Sequence, residues 1–185
     1  VSWSFEFEDQ PWFNGYRDLA TNGVDKPVLN VFRMFGLMEG QRVEVSGDLA
    51  YDVLTARDSS IRGSRPDISA LAAADERSVS VMVWNYHDDD IEAPDAQVEV
   101  AVGPVAAAQV LLHHYRIDRQ FSNSYEVWKK MGSPQNPTPQ QIAELERAGR
   151  LELLAAPAWL KPQDGRLTIP MTLPRQGVSL LKLTW

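Results

Sequence analysis

The stretch Ser78 to His87, SVSVMVWNYH, places Val79, Val81 and Val83 on one face at a spacing of two. A repeat of two marks a β-strand with one buried side. It heads a series of short segments of the same kind. Arg42 to Val45, Tyr51 to Thr55, Gln97 to Val102, Ala106 to Ile117, Gly165 to Leu173 and Gly177 to Thr184 all read as strands, with turn signals such as Gly103-Pro104 between them. The last two are expected to form a C-terminal pair. Arg57 to Ala74 mixes Ser, Gly, Arg, Pro and Ala and reads as an irregular excursion. Many short strands at this spacing predict a mainly β chain built as an antiparallel β-sandwich.

A helical insert at about 121–150 interrupts the series. Ser122 or Asn123 can cap a short helix carrying Tyr125, Trp128 and Met131, which Gly132 ends. Thr138-Pro139-Gln140-Gln141 then combines an N-cap, a proline at the first position and the second half of a capping box. Ile142, Leu145 and Ala148 make the apolar stripe, and Gly149 stops the helix. Pro134 and Pro137 fix a rigid turn between the two helices, with Trp128 packing it down. The insert is read as architectural, the alternative being that it reaches a neighbouring subunit's pocket or forms an oligomer contact.

The first 39 residues differ in character from the rest. Val1, Trp3, Phe5 and Phe7 alternate with Ser2, Ser4 and Glu6, a strand that runs into Glu8, Asp9, Trp12 and Phe13. Turn points at Pro11, Asn14-Gly15 and Asn22-Gly23 follow. Lys26 to Met38 reads as a helix capped by Asp25, with Val28, Val31, Phe32, Phe35 and Met38 on one face. So apolar a face is expected to be buried against a larger body. Glu39-Gly40 marks a boundary, giving spans 1–39 and 40–185.

Composition narrows the function classes. A net charge of -7 disfavours nucleic acid, whose phosphates call for a basic surface. No cysteine is present, so disulfides and thiolate chemistry are absent. No apolar run approaches the ~18 residues of a membrane span, so a soluble chain of unknown compartment is expected. Nor is there an internal repeat. A complete (β/α)₈ barrel takes about 250 residues, more than the 185 here. The chain opens inside a strand without an initiator Met or leader, as a segment of a longer protein would.

Few residues carry chemistry. Trp3 could be a core tryptophan or a platform on which the C–H face of a pyranose stacks. Glu8 and Asp9 are adjacent, whereas the two carboxyl groups of a glycosidase straddle the scissile bond; the pair is therefore not read as acid and nucleophile. Trp12 and Phe13 could line a pocket mouth or cover an end of the fold. Glu44, Glu99 and Glu152 read as surface carboxylates. His87-Asp88-Asp89-Asp90 lacks the spaced oxygen ligands of a calcium loop and reads as a solvated turn. His113 and His114 are consecutive on a strand and point to opposite faces, one partly buried and one exposed. No Ser/His/Asp arrangement and no Gly-rich phosphate loop is found, and no cofactor or metal is expected.

Several runs together resemble glycoside hydrolase family thirty-nine, the β-xylosidases. They are Trp3-Ser4-Phe5, Phe7-Glu8-Asp9, Trp12-Phe13-Asn14-Gly15, Asn22-Gly23 and Asp25-Lys26-Pro27, then Ser122-Asn123-Ser124-Tyr125, Trp128 and Met131 to Pro137, and last Leu173 to Leu181. The resemblance covers nearly the whole chain in order. It implies that 1–39 are the last strand and helix of a (β/α)₈ catalytic barrel, and that 40–185 are an accessory β-sandwich. It implies a retaining, exo-acting hydrolase of xylo-oligosaccharides or aryl β-xylosides, with Trp3, Glu8 and Asp9 binding substrate. The family's proton donor and nucleophile sit on earlier strands, in motifs absent here, so this segment alone is expected to be inactive and the upstream barrel to be its partner. The rival from another class is a non-catalytic carbohydrate-binding or structural β-sandwich.

Overall fold

The computed structural model of the protein describes residues 10–15 and 18–185. The opening strand, Val1 to Phe7, lies outside the described residues. The chain is mainly β, its sheets antiparallel and its helices few. It divides into two compact units, one of the described residues up to Phe35 with Ile117–Glu152, the other of Gly36–Arg116 with Leu153–Trp185.

In the first unit a two-stranded hairpin, β1 (Ala20–Thr21) and β2 (Val24–Asp25), leads into helix α1 (Pro27–Leu37). Two helices of the insert complete it, α2 (Ser124–Lys130) and α3 (Pro139–Ala148). Both follow the capping chemistry of the sequence. Asn123 Oδ1 accepts from Glu126 N at 3.1 Å, and Thr138 and Gln141 form the reciprocal capping box. Leu145 is fully buried and Ala148 nearly so.

Helix α1 buries a different face from the one its apolar residues suggest. Val28, Phe32 and Phe35 are 42%, 57% and 47% exposed, while Asn30 and Met34 are fully buried. The reason is a polar key. Asn30 Nδ2 donates to Ser122 O (3.1 Å) and Gly149 O (2.9 Å), and its Oδ1 accepts from Arg33 Nη1 (2.8 Å). A buried amide with its donors satisfied is stable, and these bonds fix which side of α1 meets the insert. Ser124 Oγ adds a bond to Asp25 O (2.5 Å). Gly149 comes so close to β2 that a Cβ there would lie 2.7 Å from Asp25 O, so only glycine allows the approach.

The remaining strands fall mainly in the second unit. They are β3 (Gln41–Val43), β4 (Asp67–Ala74), β5 (Ser78–Tyr86), β6 (Ala96–Val102), β7 (Val110–Ile117), β8 (Glu152–Leu153), β9 (Ala158–Leu160), β10 (Leu167–Leu173) and β11 (Val178–Thr184). Seven form one sheet in the order β3-β4-β5-β11-β7-β8, with β9 also paired to β7; β6 and β10 form a second. The register fits the spacing-of-two reading of β5. Val79, Val81 and Val83 stand opposite Leu183, Leu181 and Ser179 of β11, and opposite Ala74, Ala72 and Ala70 of β4. One apolar cluster takes Val81, Val83, Leu181 and Leu183 from the large sheet with Ala96, Val98, Leu167, Ile169 and Leu173 from the small one. On β6 and β10 the alternate residues Gln97, Glu99, Thr168 and Thr172 face water.

Three strand expectations are corrected. Tyr51 to Thr55 is not a strand: Val53–Ser59 forms a helix, α4, because Asp52 caps it through Thr55 N (2.9 Å) and Thr55 Oγ1 (2.5 Å). The region Arg57 to Ala74 is not wholly irregular, since β4 pairs with β5 along its full length. Finally, β10 and β11 do not pair with each other. β10 pairs with β6 and β11 with β5, the turn closed by Gly177 N to Pro174 O (2.9 Å) lying between strands of different sheets.

Candidate functional site

Trp3, Glu8 and Asp9 lie outside the described residues. What the structure gives is the ground that follows them in the chain. Gln10 Nε2 donates to Trp12 O (3.1 Å) and Phe13 O (3.3 Å), curling this segment back on itself. Phe13 takes a φ of 53°, and its N–H donates to Thr21 Oγ1 at 3.0 Å. Asn22 Nδ2 holds Pro11 O at 2.8 Å. A left-handed residue with a large side chain is uncommon, and here hydrogen bonds from the hairpin accompany it.

Both aromatics are received by the insert. Trp12 is 8% exposed and packs with Val24, Trp128 and Leu145. Its N–H donates to Gln135 Oε1 at 3.3 Å. Trp128 is anchored in turn, its Nε1–H donating to Pro134 O at 2.9 Å. Phe13, Trp128 and Tyr125 form a ring triangle with centroids 5.0, 5.5 and 5.8 Å apart, within the range at which aromatic pairs attract. Tyr125 forms the outer edge at 40% exposed, with Lys129 Nζ 4.9 Å from its centroid and paired to Glu126 at 2.6 Å. Of the two readings left open for Trp12, its burial favours a covering role. Phe13 and Tyr125 are the partly open rings of the cluster.

The sequence reading missed Tyr125 and Gln135 as neighbours of Trp12 and Phe13. Gln135 lies 123 residues from Trp12, and only the 132–137 run hinted that this turn has a fixed shape. Conversely, the architectural reading of Trp128 and Pro134 agrees with their bond.

The remaining titratable candidates lie in structural settings. Glu44 and Glu99 are exposed and Glu152 is half-buried, its N–H bonded to Ser122 Oγ at 2.8 Å. In the turn after β5 the aspartates are exposed or half-buried, as in a solvated turn, while the turn is tied down by hydrogen bonds. His87 is only 1% exposed and its Nδ1 accepts from Asp89 N at 2.9 Å. Asp88 accepts from Tyr86 OH (2.9 Å) and Ile61 N (2.8 Å); the Tyr86 bond is the main cause holding its carboxyl below the usual range. His113 and His114 are both half-buried, neither exposed as expected. His114 Nε2 lies 2.9 Å from Ser179 Oγ, and burial, then the charge of Arg116, pushes its pKa down to about 4. No group of three or more His, Cys, Asp or Glu able to hold a metal is found among the described residues. No helix among them is long and apolar enough to cross a membrane.

Comparison with known proteins places these observations. The family model for Glycosyl hydrolases family 39 matches residues 3–168. A beta-xylosidase of Geobacillus stearothermophilus is 21% identical over 182 residues, covering 97% of this chain and 31% of the relative. A beta-xylosidase of Caldicellulosiruptor saccharolyticus is 25% identical over 142 residues, 77% of this chain and 26% of the relative. The chain thus spans under a third of the length of these curated relatives. Among solved structures, a family 39 glycoside hydrolase from Xanthomonas axonopodis pv. citri superposes with a TM-score of 0.74 at 20% identity, over 95% of this chain and 33% of that one.

Proposed function

This chain belongs to glycosyl hydrolase family 39, and from that premise we propose that it is the C-terminal part of a retaining, exo-acting β-xylosidase. Residues 1–39 supply the last strand and helix of a (β/α)₈ barrel. Residues 40–185 supply an accessory β-sandwich, with the helical insert at about 121–150. Trp3 is the platform for the sugar ring, while Glu8 and Asp9 accept hydrogen bonds from its hydroxyls, as carboxylates do strongly. The acid/base and the nucleophile are glutamates of the upstream barrel, which is the partner of this segment. The substrate is a xylo-oligosaccharide or an aryl β-xyloside.

The observation that carries this reading is the uncovered side of α1. Val28, Phe32 and Phe35 recur at a helical spacing and are all at least 42% exposed. Helices of soluble proteins turn such a stripe toward a core, and a contiguous exposed apolar patch marks a surface that something else covers. The rest of a barrel would cover it. The ring cluster around Trp12 and Phe13 supports the same reading, since it braces the segment that directly follows Glu8 and Asp9.

In this reading the two catalytic carboxyl groups stand about 5–5.5 Å apart, one forming a glycosyl-enzyme bond while the other donates and then accepts a proton. The residues of this chain contribute by holding the sugar while charge develops on its ring. The test is steady-state kinetics on an aryl β-xyloside with the protein that carries both barrel and chain. Trp3→Ala and Glu8→Gln should each lower kcat/KM by tenfold or more, with Trp159→Ala near wild type. Wild-type kinetics in both site variants would refute the assignment. A loss confined to Trp159→Ala would favour the non-catalytic sugar-binding sandwich instead.

A further inference from the structure

Among the described residues, strand β3 ends the seven-stranded sheet and pairs on one side only, through Gln41↔Ala74, Arg42↔Ala73 and Val43↔Ala72. Glu44 and Val45 continue past the last of these pairs. All five residues are exposed, including Val43 at 39% and Val45 at 42%. The start of the strand is held by Gly40, at φ +87°, where a Cβ would lie 2.1 Å from Ala74 O. The outer side of β3 is therefore an open row of backbone donors and acceptors, the kind of edge that recruits another strand.

The side chains along this edge are self-complementary. If a second copy is laid antiparallel with Val43 opposite Val43, Arg42 falls opposite Glu44 of the partner subunit, and Glu44 opposite its Arg42. Residues 42 and 44 share a face, so both pairs sit side by side, where opposite charges stabilise and like charges destabilise. The register is selective. Moving the two-fold axis to residue 42 sets Arg42 against its own copy, and moving it to residue 44 does the same to Glu44. Those are the two adjacent registers that keep each face matched, and both bring like charges together. Within the chain, no ion pair or hydrogen bond engages the side chain of Arg42 or Glu44 among the described residues.

We propose that β3 is a homodimerisation edge. Two copies of the chain join there as a continuous antiparallel sheet, with a two-fold axis through Val43 and reciprocal Arg42–Glu44 pairs. The contact is isologous, so it closes at two copies.

Sedimentation velocity over a concentration series tests this with the 185-residue chain, with circular dichroism as a check that each variant folds. The wild type should pass from monomer to dimer as concentration rises, and less readily at high salt. Arg42→Glu and Glu44→Arg should each raise the dimer dissociation constant by about tenfold or more, because two attractive contacts become two repulsive ones. Mixing the two single variants in equal amounts should restore association as a heterodimer, and the Arg42→Glu/Glu44→Arg double variant should dimerise like the wild type. A wild type that stays monomeric through hundreds of micromolar would overturn the proposal. So would a dimer of equal strength in every variant, which would place the contact elsewhere, as on the apolar face of α1.

Discussion

Replacing Asn30 by alanine tests the reasoning about α1 most sharply. Its side chain is fully buried and its Nδ2 bridges two carbonyls, Ser122 O and Gly149 O, on residues that are themselves buried. Alanine removes both donors and leaves both oxygens without that partner. An unsatisfied buried polar group costs about 1–3 kcal/mol. Partial relaxation of the Ser122 and Gly149 loops reduces the sum, so about 2–4 kcal/mol is expected for the pair. The readout is urea unfolding followed by tryptophan fluorescence, since Trp12 and Trp128 lie in the same unit's apolar cluster. With a urea m-value of about 1–3 kcal/mol/M, the midpoint should fall by about 0.7 M or more. Arg57→Ala is the control. Its partner Asp58 is at 2.6 Å, but both side chains are well exposed and the pair is worth little. A midpoint for Asn30→Ala within about 0.2 M of wild type would refute the view that this amide chooses the buried face of α1.

Two further outcomes follow from the packing and the buried ring. Gly149→Ala should lower stability by about 1–3 kcal/mol in the same assay, because its Cβ would meet Asp25 O at 2.7 Å and Asp25 Cβ at 3.2 Å; a neutral effect would mean that β2 is free to move away. His114 has a folded-state pKa of about 4 against 6.5 when unfolded. The unfolded chain therefore binds the proton more readily, so stability is full above about pH 6.5 and is lost as pH falls toward 4. Denaturation midpoints across that window should fall less steeply in His114→Gln than in the wild type, and equal slopes would contradict the assignment.

The parts of the fold that were legible in the sequence are those where local chemistry acts alone. Alternation in β5 and β11 marks strands whatever their partners, and Thr138, Pro139 and Gln141 start their helix by contacts within four residues. The parts that were not depend on distant groups or on weak local signals. β4, DISALAAA, has small residues where a strand pattern would show valines, and its partnership with β5 supplies what the sequence lacks. Asp52 outweighed the strand propensity near Tyr51 by capping a helix. The face of α1 that meets the insert is set by Asn30 reaching residues 92 and 119 positions away, which counting apolar residues does not reveal. In the site, Trp12 and Phe13 were visible as a pair, but their neighbours Tyr125 and Gln135 come from the insert. The resemblance that named Trp3, Glu8 and Asp9 rested on ordered motifs spread along the chain, and the family match over residues 3–168 agrees with it.

The central claim is that this chain supplies sugar-binding residues while the catalytic glutamates lie outside its 185 residues. The most direct measurement is release of nitrophenol from an aryl β-xyloside by the purified 185-residue chain at micromolar concentration. The account predicts a rate indistinguishable from the blank. Turnover that survives repurification and is abolished by Glu44→Gln, Glu99→Gln or Glu152→Gln would contradict it, by placing a catalytic carboxylate within the chain itself.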